Sequence, residues 1–229
     1  MKKKVLITGA TDGIGKALAQ LLWKDYDLIL CGRSEDKMNE LIKEVGEGCI
    51  YYECFDMVDD AQRNAFCESV IAQFGTIDVL VNNAGANVKK DRVVDLSLSD
   101  LRYMFELNCV SPVGMIQAFY PGMSERKKGL FINILSTCCL FNSPTMGAYS
   151  ASKDAMQAIS KALLKEVKSE NIGVCNVYPG GVDTNFRAIP NHNYLKPETM
   201  ANMIKACMEN EEGCVHEIVV RPFIEENIC

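Results

Sequence analysis

The chain of 229 residues is long enough to bury a sizeable core, and 48% hydrophobic with 24% charged residues is an ordinary globular balance. A formal charge of −6 leaves no basic excess for a nucleic-acid surface. Eleven cysteines occur without one C-x-x-C, and only His192 and His216 stand beside them, so the spacings of a metal site are missing.

Lys2, Lys3 and Lys4 precede an apolar run of only Val5 to Ile7, too short for a secretory leader or a membrane span. The expectation is a cytoplasmic protein with reduced thiols and no membrane partner. Strand patterns follow at 5–8, 28–31, 50–55, 79–81, 130–135, 174–177 and 217–220. Helical patterns alternate with them at 14–24, 35–45, 59–74, 99–120, 150–169 and 197–210, with Asp59, Ser99 and Pro197 as starting residues. In the helix from Ser150, the repeat of Ala151, Ala155, Ala158, Ile159, Ala162, Leu163 and Val167 predicts the face buried against a sheet. Regular alternation with nearly all-apolar strands predicts one doubly wound α/β domain over 1–229, a parallel sheet of about seven strands covered on both faces.

The first strand runs into TGATDGIGKA, which sets Gly9, Gly13 and Gly15 between strand and helix. There a dinucleotide site needs a tight turn, a close backbone approach to the pyrophosphate and a helix N-terminus aimed at it. The second strand ends on Arg33 and Ser34, and the acids Glu35 and Asp36 come only as the next helix begins. An acid at that tip suits ribose hydroxyls, whereas a guanidinium fork with a hydroxyl beside it suits a 2′-phosphate, so NADP(H) is preferred with NAD(H) possible. Further on, AYSASKDAM places Tyr149 and Lys153 four apart, on one face of a helix. A nearby ammonium favours the phenolate and brings a tyrosine into range for proton transfer.

With these stretches in order, the chain resembles the short-chain dehydrogenase/reductase family. TGATDGIG matches the family's glycine turn, Asp56 with Met57 its acid near the adenine, and NNAG at 82–85 its loop after the fourth strand. Asn108 falls at the family's helix asparagine, and Ser136 stands thirteen positions before Tyr149. YSASK supplies Y-x-x-x-K, and PGGVDT at 179–184 matches the loop beside the nicotinamide.

The resemblance implies a Rossmann fold and an oxidoreductase for a small carbonyl or alcohol substrate. Tyr149 would be the general acid-base, Lys153 its tuner and ribose ligand, Ser136 the substrate-oxygen donor, and Asn108 the holder of a water leading from Lys153 to solvent. Gly9, Thr11, Asp12, Gly13, Ile14, Gly15, Arg33, Ser34, Asp56 and Met57 would hold one end of the cofactor. Asn83, Ala84, Gly85, Pro179, Gly180, Val182 and Thr184, with Tyr149 and Lys153, would hold the other. Ser136, Cys138, Tyr149 and Phe186 would meet substrate, with a homodimer or homotetramer as the assembly.

Several letters depart from the family pattern. Leu135 and Cys139 replace a serine and a glycine after the fifth strand, which predicts an altered pocket floor at Cys139. The substrate lobe at 184–197 is short, with Phe186, His192 and Tyr194 as candidate covers, and little chain follows VVRPF. Hydroxysteroids and acyl ketones both fit the cofactor letters. A 3-oxoacyl-carrier-protein reductase would use Lys89, Lys90 and Arg92 for an acidic carrier. An NADP(H)-binding regulatory protein without turnover is the reading from another class. A serine hydrolase is excluded by the missing G-x-S-x-G.

Overall fold

The computed structural model describes residues 2–186, 191–210 and 212–225. Its strands are β1 (Lys4–Thr8), β2 (Asp27–Gly32), β3 (Cys49–Cys54), β4 (Val79–Asn82), β5 (Gly129–Ile134), β6 (Ile172–Pro179) and β7 (Glu217–Val220). All pair in parallel in the order β3-β2-β1-β4-β5-β6-β7. The helices are α1 (Gly13–Leu22), α2 (Glu35–Val45), α3 (Asp60–Phe74), α4 (Leu98–Phe105), α5 (Ser111–Arg126), α6 (Gly147–Glu166) and α7 (Pro197–Glu209). The strand order reverses between β1 and β4, and a crevice at the strand carboxyl ends there is the place such sheets bind ligands.

Period-two alternation divides each strand between two cores. Val5, Ile7, Leu28, Leu30, Val79 and Val81 meet Leu18, Leu22, Met38 and Ile204 of α1, α2 and α7. Leu6, Ile29, Leu80, Phe131 and Val174 meet Phe66, Val70, Met115 and Phe119 of α3 and α5. Burial on both faces is why the strands read as continuous apolar runs. Truncating Phe66, fully buried, to Ala would cost about 3–5 kcal/mol.

Two expectations need correction. The helix predicted at 99–120 is two helices joined by a π turn, Glu106–Val110, and it is capped by Ser97 rather than begun at Ser99. Its second part runs through Pro121 to Arg126. Periodicity cannot register one wide turn, which shifts the helix face without breaking the apolar pattern. On α6 the predicted buried stripe is largely outside: Ala151, Ala158 and Ala162 are exposed and Ile159 is 41% exposed. Ser152, Lys153, Met156 and Ser160 turn inward instead. Hydrogen bonds, described below, satisfy those polar groups and reverse the side that hydrophobicity selects. Among the described residues, no helix is long and apolar enough to cross a membrane.

Candidate cofactor and active site

The carboxyl ends of β1, β2, β4, β5 and β6 open on a cavity of about 1380 Å³. At its floor the hydroxyl of Thr8 ties two loops together, accepting the N–H groups of Asn83 and Ala84 at 3.0 Å each. The Asn83 side-chain amide returns two bonds, to the carbonyls of Thr8 and Gly9 at 2.9 and 3.1 Å. Gly9 sits at φ +64°, and a Cβ there would fall 2.9 Å from the Ala84 backbone. That backbone conformation and that approach suit glycine alone. Gly15 packs beneath the turn against the Gly9 carbonyl and does not line the cavity, whereas Gly9, Thr11, Asp12, Gly13 and Ile14 do.

Asp12 caps α1 by accepting the Gly13 N–H at 2.7 Å. It also forms an ion pair with Lys37 and accepts the Asn185 amide at 3.1 Å. Burial works to raise its pKa, but Lys37, Asn185 and the Gly13 N–H hold it below the usual carboxylate range. At the β2 tip, Arg33 donates to the Tyr103 hydroxyl at 3.1 Å, and Ser34 caps α2. Arg33, Ser34 and Lys37 all line the cavity, and Glu35 and Asp36 do not. Lys37 went unassigned because one more lysine in a polar helix carries no local signal. Met57 lines the wall as well, while Asp56 stands one residue behind it and accepts the Val58 N–H at 3.3 Å.

The candidate reacting groups converge from three elements. Ser136 follows β5, is 8% exposed, and its Oγ accepts the Cys138 N–H at 3.1 Å. Tyr149 lies in the first turn of α6 with its ring 5.7 Å from that of Phe186. Lys153 is 4% exposed and donates from Nζ to the Ile134 carbonyl at 2.8 Å. Burial pulls its pKa down to about 8, against the opposite pull of Cys139 and Cys109. Asn108 sits in the π turn with its side chain committed: Nδ2 donates to the Ala86 carbonyl at 2.9 Å and to Ser152 Oγ at 3.0 Å, and Oδ1 accepts the Ala86 N–H at 3.0 Å. A Cβ on Gly85 would fall 2.8 Å from Asn108 Oδ1 and 3.1 Å from Lys153 Nζ. The bare backbone there leaves an open approach to the ammonium, as a flat ligand lying over it requires.

Beyond Tyr149 the chamber is walled by loops distant in sequence. Pro179, Gly180, Val182 and Thr184 line the side after β6, with Phe186 and Tyr194 from the short lobe. Residues 187–190 of the lobe lie outside the described residues. His192 bonds Asp183 at 2.9 Å with its side chain 90% exposed, and so covers nothing. Cys138 faces the cavity, but Cys139 does not; it packs into the core and burial pushes its thiol up to about 12. The altered floor expected at Cys139 is therefore a change behind the wall. The segment after β7 was unforeseen as a wall. Arg221 lies 4.9 Å over the Phe141 ring and bonds Glu225 at 3.1 Å, and Glu225 accepts the Gly181 N–H at 2.6 Å.

Residues 3–194 match the model of the short chain dehydrogenase family. The chain belongs to that family. Over 192 residues it is 34% identical to the mouse dehydrogenase/reductase SDR family member 7B, covering 80% of this chain and 58% of that protein. The chain thus spans less than two thirds of that relative's length. An uncharacterized oxidoreductase of Staphylococcus haemolyticus is 31% identical, with 95% of this chain and 96% of that one covered. Among solved structures, an alcohol dehydrogenase from the archaeon Thermococcus sibiricus complexed with 5-hydroxy-NADP superposes with a TM-score of 0.91 at 26% identity, covering both chains fully. The closed form of a serine dehydrogenase complexed with NADP+ superposes at 0.90 and 26% identity, over 96% of this chain and 94% of the other. The short-chain dehydrogenase architecture therefore extends through the loops that wall the cavity.

Proposed function

We propose that the protein is an NADP(H)-dependent oxidoreductase that interconverts a carbonyl and a secondary alcohol on a small substrate. The observation that carries this reading is Lys153, buried and anchored to the Ile134 carbonyl in the cavity wall, one helical turn from Tyr149 and facing the bare backbone of Gly85. Arg33, Ser34 and Lys37 would hold a 2′-phosphate, and the glycine turn the pyrophosphate. When bound, the nicotinamide supplies or accepts the hydride. The chain does the rest. Ser136 donates to the substrate oxygen and fixes it, Tyr149 gives that oxygen a proton or takes one from it, and Lys153 favours the phenolate by its charge.

The complexes of two structural neighbours with 5-hydroxy-NADP and NADP+ agree with the cofactor reading. A carrier-protein substrate is less favoured, because Lys89 is paired with Asp91 at 2.9 Å and Arg92 lies 3.9 Å from Asp95. The exposed alanine and Ile159 face of α6 supports a homo-oligomer, which light scattering reads directly. The function is tested with a panel of carbonyls and alcohols followed by nicotinamide absorbance, beside dissociation constants for NADPH and NADH. Equal constants for the two cofactors would overturn the NADP(H) assignment.

A further inference from the structure

Lys153 reaches the cavity from a helix whose inner face mixes apolar Met156, Ala155 and Leu163 with polar Ser152, Lys153 and Ser160. Directional bonds add what apolar contacts do not specify, an axial register. Asn82 Nδ2 donates to Asn133 Oδ1 at 2.9 Å, Asn133 Nδ2 donates to Ser160 Oγ at 2.8 Å, and Ser160 Oγ donates to Asn176 Oδ1 at 2.6 Å. The three asparagines are register partners on β4, β5 and β6, and all four residues are at most 4% exposed. Asn133 immediately precedes Ile134, whose carbonyl holds Lys153. Ser160 follows Lys153 by two helical turns and so shares its face. The helix is therefore pinned to adjacent residues of one strand at two points.

We infer that Ser160, seated between Asn133 and Asn176, is a positioning residue that sets the axial register of α6 so that Lys153 meets the Ile134 carbonyl and Tyr149 stands over the cavity. A one-residue slide, about 1.5 Å, would break both Ser160 bonds and strand two buried amides. An apolar side chain at 160 would fill the space without specifying that register. The inference rests on the reading of Tyr149 and Lys153 given above. The titratable groups that act on Lys153 are Cys139 after β5 and Cys109 in the π turn.

Ser160→Ala, Ser160→Thr, Asn176→Ala and Tyr149→Phe are compared by thermal midpoint, by NADPH dissociation constant against pH, and by single-turnover rate with a carbonyl that the parent reduces. Ser160→Ala is expected to slow the single turnover by about ten- to a hundredfold, the scale of an ångström misplacement. Its NADPH-binding midpoint should lie at higher pH than the parent's, as water reaches a loosened Lys153 whose pKa burial lowers. Ser160→Thr keeps the hydroxyl and should restore both quantities. A Ser160→Ala protein that melts earlier but keeps the parent's rate and midpoint overturns the inference, since the ladder would then only stabilise. If Ser160→Ala does not fold, Asn176→Ala, which takes away the acceptor of the Ser160 hydroxyl and leaves its bond from Asn133, should move rate and midpoint in the same directions; parent values there overturn it equally. A Tyr149→Phe protein as fast as the parent overturns the catalytic reading and this inference with it. A slow Tyr149→Phe beside a parent-like Ser160→Ala overturns this inference alone.

Discussion

The two ends of the cavity are made differently. At the end proposed for the cofactor, one β-α turn and the next strand tip offer backbone N–H groups, a helix terminus and Arg33, all within short stretches of chain. At the proposed substrate end, Arg221 meets Phe141, Glu225 reaches back 44 residues to Gly181, and the Phe186 ring lies tilted 5.7 Å from that of Tyr149. The first end is mostly main chain from two nearby stretches, braced by Asn83 and Tyr103 from farther along the chain. The second is a meeting of distant side chains, each replaceable by another of similar shape.

The sharpest way to break the comparison is Tyr149→Phe, which removes a hydroxyl where the two ends join. Turnover should fall by about two to four orders of magnitude, while the NADPH dissociation constant stays within about twofold. A large loss of NADPH binding would show that Tyr149 belongs to the cofactor end.

Lys153 offers a stability test of the same junction. Burial lowers its folded pKa from 10.5 to about 8, so the unfolded chain holds more protons between those values. The parent should therefore gain stability as pH rises across that window and lose it as pH falls through 8, by at most about 3 kcal/mol. Lys153→Met has no such proton to lose. Thermal midpoints of the two proteins, followed from neutral to alkaline pH, should diverge in the parent's favour; parallel curves would contradict the buried ammonium.

Arg33→Ala should weaken NADPH binding by about ten- to a hundredfold, equal to about 1–3 kcal/mol for a lost charge-assisted pair, with NADH little changed. Lys37→Ala should act in the same direction and less, because its ion pair with Asp12 must be given up when it turns to a phosphate. Titration with both cofactors decides it, and equal loss for NADPH and NADH would remove the 2′-phosphate role.

The smallest effect belongs to the far wall. Arg221→Ala should raise KM severalfold, the scale of a lost cation–π contact of about 0.5–2 kcal/mol, with kcat within about twofold and the NADPH constant unchanged. Steady-state kinetics over several substrate sizes measures it. A fall in kcat equal to that of Tyr149→Phe would mean that the segment after β7 acts on chemistry rather than on fit.

The proposed cofactor end can be read in the sequence because its requirements are local. A glycine where the backbone turns to φ +64°, an arginine at a strand tip, and a Tyr-Lys pair one turn apart can each be read within ten residues. Lys37, Tyr103 and Thr8 went unassigned because their parts arise from contacts with residues far along the chain. Cys139 was misplaced for a related reason: adjacency to Ser136 and Cys138 says which loop it is on, and not which side of that loop faces the cavity.

Alternation of apolar runs by itself determined a parallel sheet covered on both faces, because strands buried twice must be hydrophobic throughout. The letters of the glycine turn and of Y-x-x-x-K by themselves pointed to the end of the sheet at which the cavity opens. Only the tertiary structure decided which face of α6 turns inward. Hydrophobicity chose the alanine and Ile159 side, but Ser152, Lys153 and Ser160 find Asn108, the Ile134 carbonyl, Asn133 and Asn176 waiting across the interface. A buried polar group is costly alone and tolerable when every partner is in place, and partners drawn from three other segments cannot be counted until the chain is folded.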